Sequence, residues 1–178
     1  MTSALFYKTL REKFPFNPTL KQDIFFQKIA EFVISNDKDE IFVLKGYAGT
    51  GKTTIISTLV NYLQKADKKY VLLAPTGRAA KVISNYSQKP AFTIHKRIYF
   101  PKKSKSGGVS FTLQPNKFKN TIFIVDESSM ISDSYQETKL YENGSLLDDL
   151  MFYVDAGQNC KIIFIGDTAQ LPPINMEV

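Results

Sequence analysis

The eight residues from Gly46 to Thr53, GYAGTGKT, set three glycines, a lysine and a hydroxyl at the spacing G-x-x-x-x-G-K-[ST]. Glycine at 46, 49 and 51 lets the backbone turn successive N–H groups onto one point, where they would cradle phosphate oxygens. A helix opening at Lys52 would aim its N-terminal partial charge at the same point. Lys52 is then placed to reach the β- and γ-phosphates of a nucleotide, and the Thr53 hydroxyl to ligate magnesium. Thr50 and Thr54 flank these two residues and belong to the same cradle.

A phosphate site of this kind needs a carboxylate at the end of a neighbouring strand. In TIFIVDE, four apolar residues, Ile122 to Val125, lead into Asp126 and Glu127. Asp126 suits magnesium, usually through water. Glu127 is placed to polarise an attacking water, a hydrolase's task rather than a kinase's. Further on, GDTAQLPPI, Gly166 to Ile174, follows another apolar run. Gln170 is the candidate for sensing a γ-phosphate there, and Asp167 equally well caps the turn.

These residues need rigid elements to hold them. Thr19 predicts a helix N-cap, with the helix running to about Ser35 and Ile24, Ile29 and Val33 near one face. Ile41 to Leu44 reads as a buried strand, Lys52 to Lys65 as a helix, Tyr70 to Ala74 as a strand and Arg78 to Asn85 as a helix. Thr121 to Val125 and Lys161 to Ile165 are two more buried strands. Between them Ser132 to Ala156 reads as helical, broken at Asn143-Gly144. Strands alternating with helices predict an α/β fold, a mainly parallel sheet covered on both faces. Arg97 to Phe100 and Val109 to Leu113 flank the lysine-rich turn KKSKSGG, predicting a basic β-hairpin inserted over 99–120. SALFYKTLREKF predicts a short N-terminal helix leading to the Pro15 and Pro18 turn, residues 1–18, ahead of a domain over 19–178.

With 178 residues, 43% of them hydrophobic and 22% charged, the chain is the size and composition of one folded domain, not a disordered tail. One cysteine, Cys160, excludes an intrachain disulfide and a cysteine-built metal site, and reads as a core residue. Neither a signal peptide nor an apolar run long enough for a membrane span is present, which predicts a soluble, cytoplasmic protein. Charge is unevenly spread. Lys68 to Val125 holds 12 basic residues and no acidic one, whereas Asp126 to Val178 holds 2 basic and 10 acidic. A cationic middle third predicts a polyanionic partner, most often nucleic acid, with Lys102 and Lys103 of the hairpin among the contacts. The plainer alternative is a set of solvated lysines on helix faces and a loop.

GYAGTGKT, LLAPTGRAAK (Leu72 to Lys81), TIHKR (Thr93 to Arg97), VDESSMI (Val125 to Ile131) and GDTAQLPPI, in this order, resemble the motifs of superfamily 1 DNA helicases of the RecD/Dda branch. The resemblance runs from about Thr19 to the end. It implies a RecA-like P-loop fold, ATP and Mg2+ as cofactors, and single-stranded DNA as partner. It also implies that Gln22 reads the adenine edge and that Gln170 links the γ-phosphate to the DNA strand. Thr76 and Arg78 match a motif on the DNA backbone, and His95 matches the next DNA-side motif. The inserted hairpin matches a strand-separating pin, although its tip, KSKSGG, carries no aromatic residue to stack on a base pair. The family's second RecA-like domain, with its arginine finger, has no counterpart in these residues. Two other classes stay in view: a non-catalytic ATP-binding module, and a small-molecule P-loop kinase. Glu127, the third-motif glutamine and the acid-free middle argue against the kinase.

Overall fold

The computed structural model describes residues 1–37, 40–103, 109–131 and 141–167, with backbone alone at 101–103 and 109–110. Five parallel strands form the central sheet: β1 (Ile41–Lys45), β2 (Lys69–Ala74), β3 (Ala91–Thr93), β6 (Thr121–Val125) and β7 (Lys161–Gly166), in the order β1-β7-β6-β2-β3. Alternate residues of the inner strands feed opposite cores. Leu72, Ile122, Ile124, Ile163 and Ile165 face α1 (Ser3–Lys13), α2 (Leu20–Ile34), α3 (Lys52–Lys65) and α4 (Gly77–Ser87). Val71, Leu73, Phe123, Val125 and Ile162 face α5 (Ile94–Ile98) and α6 (Leu146–Asp155). Each such side chain, fully buried, contributes roughly 1.5–3 kcal/mol.

Local chemistry explains most boundaries. The Thr19 hydroxyl accepts the Gln22 N–H while the Gln22 carboxamide accepts the Thr19 N–H, a reciprocal cap that starts α2. Its buried stripe is Phe25, Phe26, Ile29, Ala30, Phe32 and Val33, and Ile24 is half exposed. Ile29 and Val33 thus lie on the buried face as predicted, and the phenylalanines take the place expected of Ile24. At the far end of α2, Lys161 is buried and donates to the carbonyls of Phe32 and Ser35, both at 2.7 Å. A cation there complements the helix C-terminus. Phe6 and Leu10 of α1 are fully buried in the same core.

Three expectations need correction. Arg97 and Ile98 end helix α5, which Thr93 caps by accepting the Lys96 N–H. The hairpin's first strand is therefore β4, Tyr99–Lys103, paired antiparallel with β5, Val109–Leu113. The predicted break at Asn143-Gly144 is present, with Gly144 at φ +103°, but it is wider than predicted: residues 141–145 are all non-helical, and Ser145 caps α6 through the Asp148 N–H. Residues 132–140 of that predicted helix lie outside the described residues. Finally, among the described residues β1 pairs only with β7, and every second residue on it is exposed, so it is not a fully buried strand. No helix among the described residues is long and apolar enough to cross a membrane.

Candidate functional site

In a parallel sheet every strand ends at the same edge, and that edge collects the chemistry. Gly46 follows β1, and its N–H donates to the Gly166 carbonyl at the end of β7, 3.2 Å away. The loop then passes through Gly49 at φ +77° and Gly51 at φ +83°. Left-handed backbone at both positions favours glycine and turns the loop into α3. Thr50 is held by its N–H and hydroxyl on the Tyr47 carbonyl, at 3.3 and 2.7 Å. Gln22 reaches across from α2 and donates to the Thr50 carbonyl at 3.1 Å, so it braces the loop from the side. A cavity of about 530 Å³ lies between α2 and this loop, lined by Thr19, Gln22, Phe25, Gly51, Lys52 and Ile55 among others.

Lys52 opens α3, and its ammonium folds back onto the carbonyls of Gly46 and Tyr47 at 2.6 and 2.8 Å. Asp167, just past β7, brings a carboxylate oxygen to 3.7 Å from the same nitrogen. Thr53 and Thr54 occupy the first turn of α3, both partly buried.

Asp126 follows β6, with its N–H donating to the Leu73 carbonyl at 2.9 Å. Burial pushes its carboxyl up from the ordinary 3.8 to about 6. A hydrogen bond involving the Glu127 backbone and the Lys52 ammonium pull it down, and the Glu127 charge pushes it up. Glu127 itself sits at φ +56°, a left-handed backbone that costs a non-glycine residue about 1 kcal/mol or more. It caps a short 3-10 turn, Ser128–Met130, that packs tightly on β7. A Cβ on Gly166 would come within 3.0 Å of the Ser128 hydroxyl and 3.3 Å of the Ser129 N–H nitrogen. The Asp167 N–H donates to the Ser129 hydroxyl at 3.4 Å. Phosphate loop, strand-end carboxylates and the end of β7 are therefore one contiguous unit.

The remaining candidates stand further along the same edge. Thr76 follows β2 and caps α4 by accepting the Ala79 N–H, and Thr76, Gly77 and Arg78 are exposed. His95 follows β3 on α5, half buried among Tyr99, Phe111 and Tyr141, with Nε2 3.4 Å from the Tyr141 hydroxyl. Burial lowers its pKa from the ordinary value, which keeps the ring neutral near pH 7. Lys102 and Lys103 lie on the backbone of β4, and Gln170 lies outside the described residues.

Sequence reading does not reach two features. One is the approach of Asp167 to Lys52, which depends on β7 lying beside β1. The other is Asp149, fully buried, which accepts the Tyr99 hydroxyl at 2.6 Å and the N–H groups of Glu142 and Asn143 at 3.1 and 2.8 Å. That carboxylate ties the base of the hairpin, beside His95, to α6. A lone Asp in a helix pattern carries no signal of this.

A family model described as an AAA domain matches residues 29–176. Among known proteins, the chain is similar to the ATP-dependent DNA helicase Dda of Enterobacteria phage T4 (31% identity, 78% of this chain and 29% of that protein). It is also similar to the ATP-dependent RecD2 DNA helicase of Deinococcus radiodurans (29% identity, 76% of this chain and 16% of that protein). Among solved structures, the large terminase of bacteriophage HK97 shares the fold with a TM-score of 0.52 at 17% identity, over 93% of this chain and 38% of that one. The chain spans a third or less of the length of the curated relatives it matches.

Proposed function

The chain belongs to the AAA domain family, and from that membership we propose that it is the ATP-binding motor domain of a DNA helicase, hydrolysing ATP to move along single-stranded DNA. It is an AAA-type P-loop domain similar to the motor domains of RecD- and Dda-type helicases, an ATP-hydrolysing class. The observation that carries the finer reading is the line-up along one sheet edge. The phosphate loop after β1 and the Asp126-Glu127 pair after β6 stand in the same row as exposed Thr76 and Arg78 after β2 and His95 after β3.

In this reading the Lys52 ammonium leaves the Gly46 and Tyr47 carbonyls for the β- and γ-phosphates, an exchange of neutral acceptors for charged ones that favours binding. Backbone N–H groups of the glycine-rich loop would cradle the phosphates, and Gln22 reads the adenine edge from its brace on the loop. The donor set suits magnesium, a hard cation that takes oxygen ligands: Asp126 after β6 offers a carboxylate and Thr53 in the first turn of α3 a hydroxyl. The ion would therefore rest on the Asp126 carboxylate, the Thr53 hydroxyl, water and phosphate oxygens. Held there, magnesium would supply charge neutralisation to the bound phosphates. Glu127 orients the attacking water and accepts its proton. Gln170 links the γ-phosphate to the DNA side, Thr76 and Arg78 hold DNA phosphates, and His95, Lys102 and Lys103 extend that contact. A second RecA-like domain of the same longer polypeptide supplies the arginine that completes the ATP site.

Calorimetric titration with Mg·ATP tests the assignment. Lys52→Ala removes most of the binding, because Lys52 meets phosphate in the ground state. Glu127→Gln leaves it near the parent's, because Glu127 acts on water only as the bond breaks. Equal loss in both variants would sink these roles.

A further inference from the structure

Lys52 has a third acceptor besides the two carbonyls that its ammonium meets. One Asp167 carboxylate oxygen stands 3.7 Å from Nζ, and the two side chains are 17% and 13% exposed. That separation is a contact between charges rather than a hydrogen bond, and so little water surrounds it that salt screens it weakly. The pair joins the phosphate loop to the strand beside it. In the register of β1 and β7, Lys45 lies opposite Gly166, so Gly46 and Asp167 leave the sheet side by side. Two hydrogen bonds from backbone N–H groups hold this arrangement. The Gly46 N–H donates to the Gly166 carbonyl at 3.2 Å, and the Asp167 N–H to the Ser129 hydroxyl at 3.4 Å.

The two partners differ in reach. Lysine carries its charge on a flexible four-carbon stem and can exchange one acceptor for another. The Asp167 carboxylate is one methylene from a backbone held on both sides, so it stays where it is. Drawing Lys52 to a nucleotide's phosphates therefore separates a partly buried ion pair as well as breaking two bonds to carbonyls. When the phosphates leave, the same carboxylate favours the ammonium's return.

We propose that Asp167 is a positioning residue for product release: it competes with a nucleoside diphosphate for Lys52 and takes the ammonium back as the diphosphate departs. The competition bears hardest after hydrolysis, when the γ-phosphate no longer shares Lys52. This rests on the reading of Gly46 to Thr53 as a nucleotide site, and not on the nucleic-acid partner. Turn capping, the other role open to Asp167, gives no reason for its loss to tighten the hold on a nucleotide.

Stopped-flow fluorescence with a fluorescently labelled ADP and magnesium, chased with unlabelled ADP, tests it. Asp167→Asn should slow release at least about fivefold and leave the association rate within about twofold of the parent's, the pattern of a buried charge partner rather than of a distant charge. Asp167→Ala, which also removes the charge, should slow release likewise and serves if the asparagine variant fails to fold. Asp167→Glu keeps the charge and should release at a rate nearer the parent's than the asparagine variant does. Release as fast as the parent's in the neutral variants, a change confined to association, or a glutamate variant as slow as the asparagine one would overturn the proposal. In each of those cases the parent still binds the labelled ADP, and the nucleotide reading stands. A parent that binds none would overturn both.

Discussion

At the end of β6 a carboxyl that titrates near 6 is kept beside a second carboxylate, and the fold bears the cost. Burial is the main cause at Asp126, so the native state holds its proton more tightly than the unfolded chain does. Between the ordinary 3.8 and about 6 the native state therefore binds more protons, and stability falls as pH rises through that window. Above about 6 the whole penalty is present, at most about 3 kcal/mol. Asp126→Asn removes the charge at nearly constant shape. It should stabilise the protein at pH 7 by up to that amount, with the gain fading to nothing near pH 4. Urea unfolding of both proteins across this range measures the difference. A gain of equal size at pH 4 and pH 7 would mean that packing, not charge, is responsible. The same substitution should weaken the magnesium dependence of nucleotide binding, as expected if the penalty is retained for the metal's sake.

Among the elements, α3 and β6 have the bounds that the sequence predicts, because a glycine turn opens the one and a four-residue apolar run after Thr121 defines the other. The phosphate loop and the strand-end carboxylates are legible for the same reason: their chemistry is local in sequence. What depends on distant neighbours is not. Arg97 and Ile98 have strand-type residues around them, yet the Thr93 cap takes them into α5. The Asp167–Lys52 approach needs the β1–β7 pairing, and Tyr99 and Asp149 are joined across 50 positions. That last contact supports a prediction for the hairpin. Asp149 accepts at both oxygens from Tyr99, Glu142 and Asn143, so Asp149→Asn places an NH2 against donors and costs about 3 kcal/mol. Tyr99→Phe leaves the other bonds intact and costs about half as much. Thermal unfolding ranks the two, and a Tyr99→Phe loss matching that of Asp149→Asn would place the main contribution in the tyrosine rather than the carboxylate.

Over the whole molecule, a middle third without acidic residues is followed by an end with 10 acidic and 2 basic ones. In the helicase reading, contacts to single-stranded DNA are mainly to phosphates. If three or four are neutralised, log affinity should fall with log salt at a slope of about −2 to −3. Arg78→Ala should weaken binding and flatten that slope by about 0.7, measured by fluorescence anisotropy. Turnover follows a separate argument. An arginine aimed at the γ-phosphate stabilises charge that develops only in the transition state, and such fingers contribute roughly 10³- to 10⁵-fold in rate. Resemblance to superfamily 1 motors assigns that arginine to a second domain, and no basic residue follows Lys161 in this sequence. Residues 1–178 by themselves should therefore bind Mg·ATP at Lys52 yet release phosphate at a residual rate, with little stimulation by single-stranded DNA. Steady-state phosphate release with and without DNA measures this. Strong stimulation would mean that an arginine reaches the γ-phosphate either from a second copy of the chain or from within these residues. A turnover rate rising with the square of protein concentration would identify that case, and a rate linear in concentration would instead place a complete catalytic site within these 178 residues.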